Sequence, residues 1–362
     1  MKALLFSQHF SEYVMTVASG FDEDEEIALI ISKENYEAEI AGSVPVSPFP
    51  VHLVSMPGPR HVSAFLKSLY VFHRWLSKNR PEIVHFQEMP KGFTFLCWLL
   101  SHRSKRVLTI HDVTSHPGQD SNTSSRQEFI KNHMRKTADA IIVHGNNLYT
   151  QLAALNPDYS KKVSVIPHPS LRTLASINWK KPVDNRILFF GRIAKYKGLS
   201  YLLEASLILQ QRHVPFLLVI AGQGEDLEAN MPLLEKIEKK QVINRRIGPD
   251  EIEILFKQTD VVVLPYIEAS QSGVAAYALG FGKPCVATDT GSLTEVVQDG
   301  HNGLICSPGN SRELADCLEK LLVDTDLLHH CAHNAYHMAT ESFSPKRIAS
   351  QTFEAYKKIL PI

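Results

Sequence analysis

The chain has 362 residues, 44% of them apolar, which is too long for one ordinary core and fits two domains of about 150–200 residues each. Lysine and arginine total 38 and aspartate and glutamate total 38, so a global field that captures nucleic acid or an acidic surface is excluded and any basic binding face must be local. The five cysteines, Cys97, Cys285, Cys306, Cys317 and Cys331, form no CxxC pair and no metal-ligand spacing, a pattern that suits small buried residues in a reducing compartment better than a disulfide framework.

The chain opens with "MKALLFSQHF", which lacks the long apolar stretch of a secretory signal. No later segment approaches the roughly 18 apolar residues of a spanning helix. A soluble, cytoplasmic protein is the expectation. Short apolar runs follow at 3–6 ("ALLF"), 27–32 ("IALIIS"), 83–86 ("IVHF"), 107–111 ("VLTIH"), 140–145 ("AIIVHG") and 163–167 ("VSVIP"). Runs of this length, apolar on both faces and separated by amphipathic stretches, predict strands of a parallel sheet.

Between residues 58 and 136 thirteen Lys and Arg stand against five acids, interleaved with aromatic and aliphatic residues as in "FLKSLYVFHRWLSKNR" and "FLCWLLSHRSKR". Such a face can dock on anionic lipid headgroups, which would suit a lipid-linked substrate and a peripheral position on the inner face of a membrane. Core-facing helices with ordinary solvated basic sides are the alternative.

The polar stretch "LRTLASINWKKPVDN" (171–185) breaks the rhythm, and the alternation restarts with "RILFFG", "FLLVIAG", "VVVLPY", "KPCVAT" and "GLICSP". Helical spacing is clear at 198–212 and at 311–324, the latter opening with Ser311 at the cap position. Residues 344–360 form one more amphipathic helix. Two successive βαβ series predict an α/β chain with two doubly wound Rossmann-like domains, one over 1–170 and one over 183–343.

In open α/β sheets ligands collect at the carboxyl ends of the strands, where helix N-termini converge. Three loops of the second domain meet that description. "FFGRIAKYKG" (189–198) brings Gly191, Arg192 and Lys197 to the end of its first strand, and "AGQGED" (221–226) places Gly222 at the end of the next. "EASQSGVAAYALGFGKPC" (268–285) sets Ser270, Gln271, Ser272 and Gly273 before a helix of small residues, presenting a hydroxyl and free N–H groups at a positive helix end. A solvated basic turn, a tight turn and a serine-capped helix start are the bland readings of each loop alone. Their coincidence points to an anion such as a diphosphate.

"FFGRIAKYKG", "IAGQGE", "SQSGV" and "GKPCVATDTGSLTEVVQDGHNGLICSPGN", in that order, resemble the nucleotide-sugar domain of retaining glycosyltransferases of the GT-B fold, glycosyltransferase family 4. The resemblance covers 183–325 well and the N-terminal half weakly. It implies two Rossmann-like domains whose parallel sheets face a central cleft, with the C-terminal helix (344–362) packing back on the first domain. By the same resemblance Arg192 and Lys197 hold the donor diphosphate, and the Ser272, Gly273 and Val274 segment supplies amides to it. Glu268 lies near the glutamate directed at donor sugar hydroxyls. "LTIHDVTSHPG" (108–118) resembles the strand ending in histidine that sets His111 beside the donor sugar, with a buried, satisfied histidine as the alternative.

The sequence also departs from the family pattern. Counting back from "GKP", the second of the usual glutamate pair falls on Tyr277, and the first falls on Ala269, with Glu268 one place early. The glycine pair common after the first strand is replaced by "SQHFSEYVMTVASG". "DED" (22–24) formally matches the metal-binding motif of the other major glycosyltransferase fold, but it lies in an acid run far from any phosphate loop and reads as a solvated turn.

What the resemblance implies is therefore a metal-independent, stereochemically retaining hexosyltransferase without a cofactor. It would move a sugar from a uridine diphosphate donor to a saccharide or lipid-linked acceptor in polysaccharide or glycoconjugate synthesis. A sugar-nucleotide 2-epimerase and a catalytically silent sugar-nucleotide-binding partner are the alternatives. A nicotinamide dehydrogenase is disfavoured because no strand is followed by GxGxxG, and no nucleic-acid partner is expected.

Overall fold

The computed structural model describes residues 1–40, 47–58, 60–114, 124–177 and 184–361. The described residues up to 169 together with 344–361 form one compact unit, and 170–343 form the other. Residues 178–183, part of the polar stretch that separates the two βαβ series, and 115–118, the end of the "LTIHDVTSHPG" segment, lie outside the described residues.

The N-terminal unit is built on seven parallel strands: β1 (Lys2–Ser7), β2 (Glu26–Ser32), β3 (Val51–Val54), β4 (Ile83–Gln87), β5 (Lys105–Ile110), β6 (Ala140–Val143) and β7 (Val163–Val165), in the order β3-β2-β1-β4-β5-β6-β7. The C-terminal unit has six: β8 (Arg186–Phe190), β9 (Leu217–Gly222), β10 (Lys240–Asn244), β11 (Val261–Leu264), β12 (Cys285–Thr288) and β13 (Gly303–Cys306), in the order β10-β9-β8-β11-β12-β13. Both sheets are doubly wound α/β arrangements of the GT-B type. In each, the chain runs outward from a first strand, then returns to that strand's other side.

Strand alternation divides each sheet's side chains between two cores. Ala3 and Leu5 join one core with Val14, Leu29 and Ile348, while Leu4 and Phe6 join the other with Phe72, Phe86 and Trp98. Ile187 and Phe189 likewise separate from Leu188 and Phe190. Central strands are therefore apolar on both faces, the reason that they stand out as continuous runs. The edge strands β3 (VHLV) and β10 (KQVIN) are partly or fully exposed along their whole length, so neither produces such a run, and neither was visible in the sequence.

Helix boundaries follow their caps. Ser344 caps Pro345–Lys357, which packs against the helix Ser11–Ala18 within the N-terminal unit and sends the Tyr356 hydroxyl to His85 Nδ1 at 2.6 Å. The helix Ser311–Val323 corrects one expectation: its cap is Asn310, whose side chain accepts from Glu313 N at 3.1 Å, while the Ser311 hydroxyl donates instead to Glu204 at 2.5 Å. Both residues are good caps, and a single position separates them. Cys97, Cys285, Cys306 and Cys331 are buried, Cys317 is partly so, and all five are free thiols.

Candidate functional site

In the C-terminal unit the winding reverses between β8 and β11, and the loops that follow these two strands carry the candidate residues. Gly191 leaves β8 with φ +99°, and its amide donates to Ala221 O at 2.9 Å, so the chain beyond the strand still runs beside the end of β9. A Cβ at Gly222, whose φ is +149°, would stand 1.8 Å from Gly191 O. The close approach that requires glycine at 222 is thus the end of β9 against the turn after β8. Ile267 N donates to Tyr196 O at 2.7 Å and ties the loop after β11 to the same assembly.

Lys197 belongs to a short 3-10 turn (Lys195–Lys197) that folds it back toward the strand end, its Nζ 3.4 Å from where a Cβ on Gly191 would be. The ammonium lies 5.0 Å from the centroid of the Tyr266 ring and has no carboxylate or hydrogen-bond partner among the described residues. Burial pulls its pKa below the ordinary lysine value; Tyr196 opposes the shift and the nearby Arg192 guanidinium reinforces it. Arg192 is exposed and donates from Nη2 to the Tyr196 hydroxyl at 3.2 Å.

Across from Lys197, Ser272 caps the helix Gly273–Gly280: its Oγ accepts from Ala275 N at 3.3 Å and lies 3.3 Å from the Tyr266 hydroxyl. The amides of Gly273 and Val274, first and second in the helix, have no acceptor among the described residues. A Cβ at Gly273 would meet nothing within 4 Å, so the helix start faces open space.

Lys197, Gln271, Ser272, Gly273, Val274 and Tyr277 line one hollow of about 220 Å³ together with Tyr196 and Tyr266. A neighbouring hollow of about 420 Å³ is lined by Gly191, Arg192, Tyr196, Gly222, Glu225, Arg246 and Ile247 among others. Tyr196 borders both. An ammonium, a guanidinium and two unused amides at a helix N-terminus make this rim suited to an anion with more than one charged oxygen.

Gln271 Oε1 is buried without a partner in the smaller hollow. Ser270 is buried, and its carbonyl accepts from Ser292 N at 3.2 Å, which ties this loop to the turn after β12. Tyr277 packs its ring against Phe256 at 5.5 Å, with the Arg172 guanidinium 5.8 Å from its centroid. Glu268 is exposed and lies outside both sets of lining residues.

In the N-terminal unit His111 directly follows β5 and is 2% exposed. Its Nε2 is 2.9 Å from Gln87 Oε1, and Gln87 Nε2 is buried with no partner among the described residues. Nδ1 is buried with no partner among the described residues. Burial, helped by His144, His168, His9 and His85, holds the imidazole well below the usual histidine pKa, so it is neutral. Phe10 stacks on its face at 3.9 Å and 22°, and Tyr13 meets it edge-on at 5.0 Å.

His144, directly after β6, donates from Nδ1 to Ile166 O at 3.0 Å, and its Nε2 is buried without a partner among the described residues. A buried ion pair supports these loops. Arg135 donates to both oxygens of Glu88 at 2.7 Å and to Val113 O at 3.0 Å, joining the residue after Gln87 to the loop after His111.

The sequence reading did not assign roles to Phe10, Gln87, Glu88, Arg135, His144, Tyr196, Tyr266 or Arg246. For Gln87 and His144 the signal was present, a polar residue at the carboxyl end of an apolar run. For Tyr266 and Arg135 the partners are distant in sequence, and nothing local marks them.

Residues 174–338 match the family model for glycosyl transferases group 1, and residues 12–169 match that for glycosyltransferase family 4. An uncharacterised glycosyltransferase of Methanocaldococcus jannaschii is 30% identical over 188 residues, covering 50% of this chain and 48% of that one. A D-inositol 3-phosphate glycosyltransferase of Paenarthrobacter aurescens is 28% identical over 61% of this chain and 55% of its own. The chain spans about half the length of the curated relatives it matches. Among solved structures, Anabaena HepE in complex with UDP-glucose superposes with a TM-score of 0.72 at 17% identity, over 99% of this chain and 100% of that one.

Proposed function

The chain belongs to the GT-B glycosyltransferases of family 4 type, and on that premise we propose that it transfers a hexosyl group from a nucleoside diphosphate sugar to a saccharide or lipid-linked acceptor, with retention of configuration. The observation that carries the proposal is the meeting of Lys197 with the unused amides of Gly273 and Val274 around one hollow. In this reading Lys197 and the helix N-terminus take the diphosphate oxygens, and Arg192 takes those on the side of the larger hollow. The donor is a uridine diphosphate sugar, the class of ligand that HepE holds in its complex.

As the bond between sugar and diphosphate breaks, negative charge accumulates on the leaving oxygen. Fixed cations and amides stabilise that charge without reorganising, and no metal ion or cofactor takes part. The acceptor hydroxyl attacks on the face that the diphosphate leaves, so the anomeric configuration is kept. Glu268 is assigned to hydroxyls of the donor sugar, Gly191 and Gly222 to the backbone rim of the donor site, and Ser270, Gln271 and Tyr277 to its remaining polar contacts.

Thermal-shift measurements against uridine, adenosine and guanosine diphosphates test the donor class. Proton NMR of the product formed from an α-linked donor tests the stereochemistry: an α-linked product supports the mechanism and a β-linked product excludes it. Epimerised donor in the absence of any acceptor would identify the chain as an epimerase instead.

A further inference from the structure

We propose that the helix Val62–Asn79 of the N-terminal unit docks lengthwise on an anionic lipid bilayer, an inference that goes beyond the transfer reaction and does not depend on the donor site. Its inward side is conventional, with Ser68, Phe72 and Leu76 buried. Its outward side is not. Val62, Leu66 and Tyr70 are 61%, 57% and 60% exposed and stand four residues apart, so at 3.6 residues per turn they line up as one apolar stripe. Lys67, Arg74 and Lys78 form the adjoining stripe on the same exposed side.

These three cations are uncompensated. No acid occurs from residue 58 to residue 81, and none of the three forms an ion pair or a side-chain hydrogen bond among the described residues. Two lysines on other helices carry their own acids, Lys33 with Glu37 at 3.8 Å and Lys357 with Glu354 at 2.5 Å. Three other cations of the basic segment are used internally: Lys105 pairs with Asp139, Arg135 with Glu88, and Arg106 lies 4.9 Å from the Trp98 centroid. In a protein with equal numbers of acidic and basic residues, this helix thus sets three unpaired cations beside an exposed apolar stripe.

An apolar strip with a flanking cationic strip matches the boundary between acyl chains and anionic headgroups, where Tyr70 can keep its hydroxyl in water while its ring is buried. A second copy fits less well. An antiparallel two-fold pairing through this face would bring the cationic stripes of the two copies to the same side, like charge against like. No helix among the described residues is long and apolar enough to cross a membrane, so the contact is peripheral.

The test is co-sedimentation of the full chain with phosphatidylcholine vesicles, with and without about a third phosphatidylglycerol. Wild type should bind the anionic vesicles and release as salt rises, and should ignore the neutral ones. The double variants Leu66→Ser/Tyr70→Ser and Lys67→Glu/Arg74→Glu should each weaken binding by about tenfold or more while their melting temperatures and their shift with a nucleoside diphosphate stay at wild-type values. Equal binding to both vesicle types, no binding by wild type, or variants that bind like wild type would overturn the proposal. So would concentration-dependent dimerisation that Leu66→Ser/Tyr70→Ser abolishes.

Discussion

Lys197 rests its ammonium 5.0 Å from the centroid of Tyr266, and the hydroxyl of that same tyrosine reaches Ser272 at the start of the helix Gly273–Gly280. One aromatic ring therefore spaces a cation from a helix N-terminus and keeps both directed at one hollow. A cation held over a ring face without an opposing carboxylate retains most of its capacity for an arriving anion.

Lys197→Ala removes a charge-assisted contact worth about 1.5–3 kcal/mol, so the nucleoside diphosphate should bind about 10- to 150-fold more weakly. Lys197→Arg should recover only part of this, because the planar guanidinium does not fit where a compact ammonium packs beside Gly191. Titration calorimetry of both variants checks the order wild type, Arg, Ala.

Two glycines separate folding from binding. Gly222→Ala places a Cβ 1.8 Å from Gly191 O at a φ of +149°, and should cost at least about 2 kcal/mol of stability. Gly273→Ala meets no protein atom within 4 Å, should leave the melting temperature close to wild type, and should weaken donor binding because its methyl enters the hollow. Differential scanning calorimetry with and without the diphosphate distinguishes the two.

Arg135→Met leaves the buried Glu88 carboxylate without its bidentate partner and should destabilise the protein by about 3–5 kcal/mol. Glu88→Leu combined with Arg135→Met should recover much of that loss, since no uncompensated charge remains. Urea unfolding of the single and double variants measures the difference.

The histidines of the N-terminal unit set its acid stability. Burial lowers His85 and His144 to about 3 and His168 to about 4, from an ordinary value of 6.5. With folded-state pKa values depressed, the unfolded chain binds the extra protons, so stability is fully present above pH 6.5 and is lost as pH falls from there toward about 4 for His168 and about 3 for His85 and His144. Each such histidine contributes a slope of about 1.4 kcal/mol per pH unit across that window. His144→Asn should therefore flatten the decline by about one proton, readable from melting temperatures between pH 7 and pH 4.5.

The parallel α/β architecture was legible because buried central strands such as ALLF and VVVLPY leave continuous apolar runs, and the meeting of Lys197 with the Ser272 helix start around one hollow was suggested by the glycine, basic residues and serine cap that recur at strand ends. The edge strands β3 and β10 were not, since exposure on an edge removes the apolar signature that identifies their neighbours. Asn310 displaced Ser311 as a cap for the same reason that caps are hard to place to the residue: adjacent polar side chains compete, and the winner depends on where the chain enters the helix. The contacts that shape each unit's candidate residues, Tyr266 beneath Lys197 in one and Phe10 on His111 in the other, join residues 69 and 101 positions apart, and sequence spacing carries no trace of them.

The most direct test of the account is calorimetric titration of uridine diphosphate into wild type and Lys197→Ala at matched ionic strength. Saturable binding by wild type that weakens at least about tenfold in the variant is the expected result. Equal affinity in the two proteins, or no binding to a folded wild type by uridine, adenosine or guanosine diphosphate, would contradict the claim that this rim holds the leaving group.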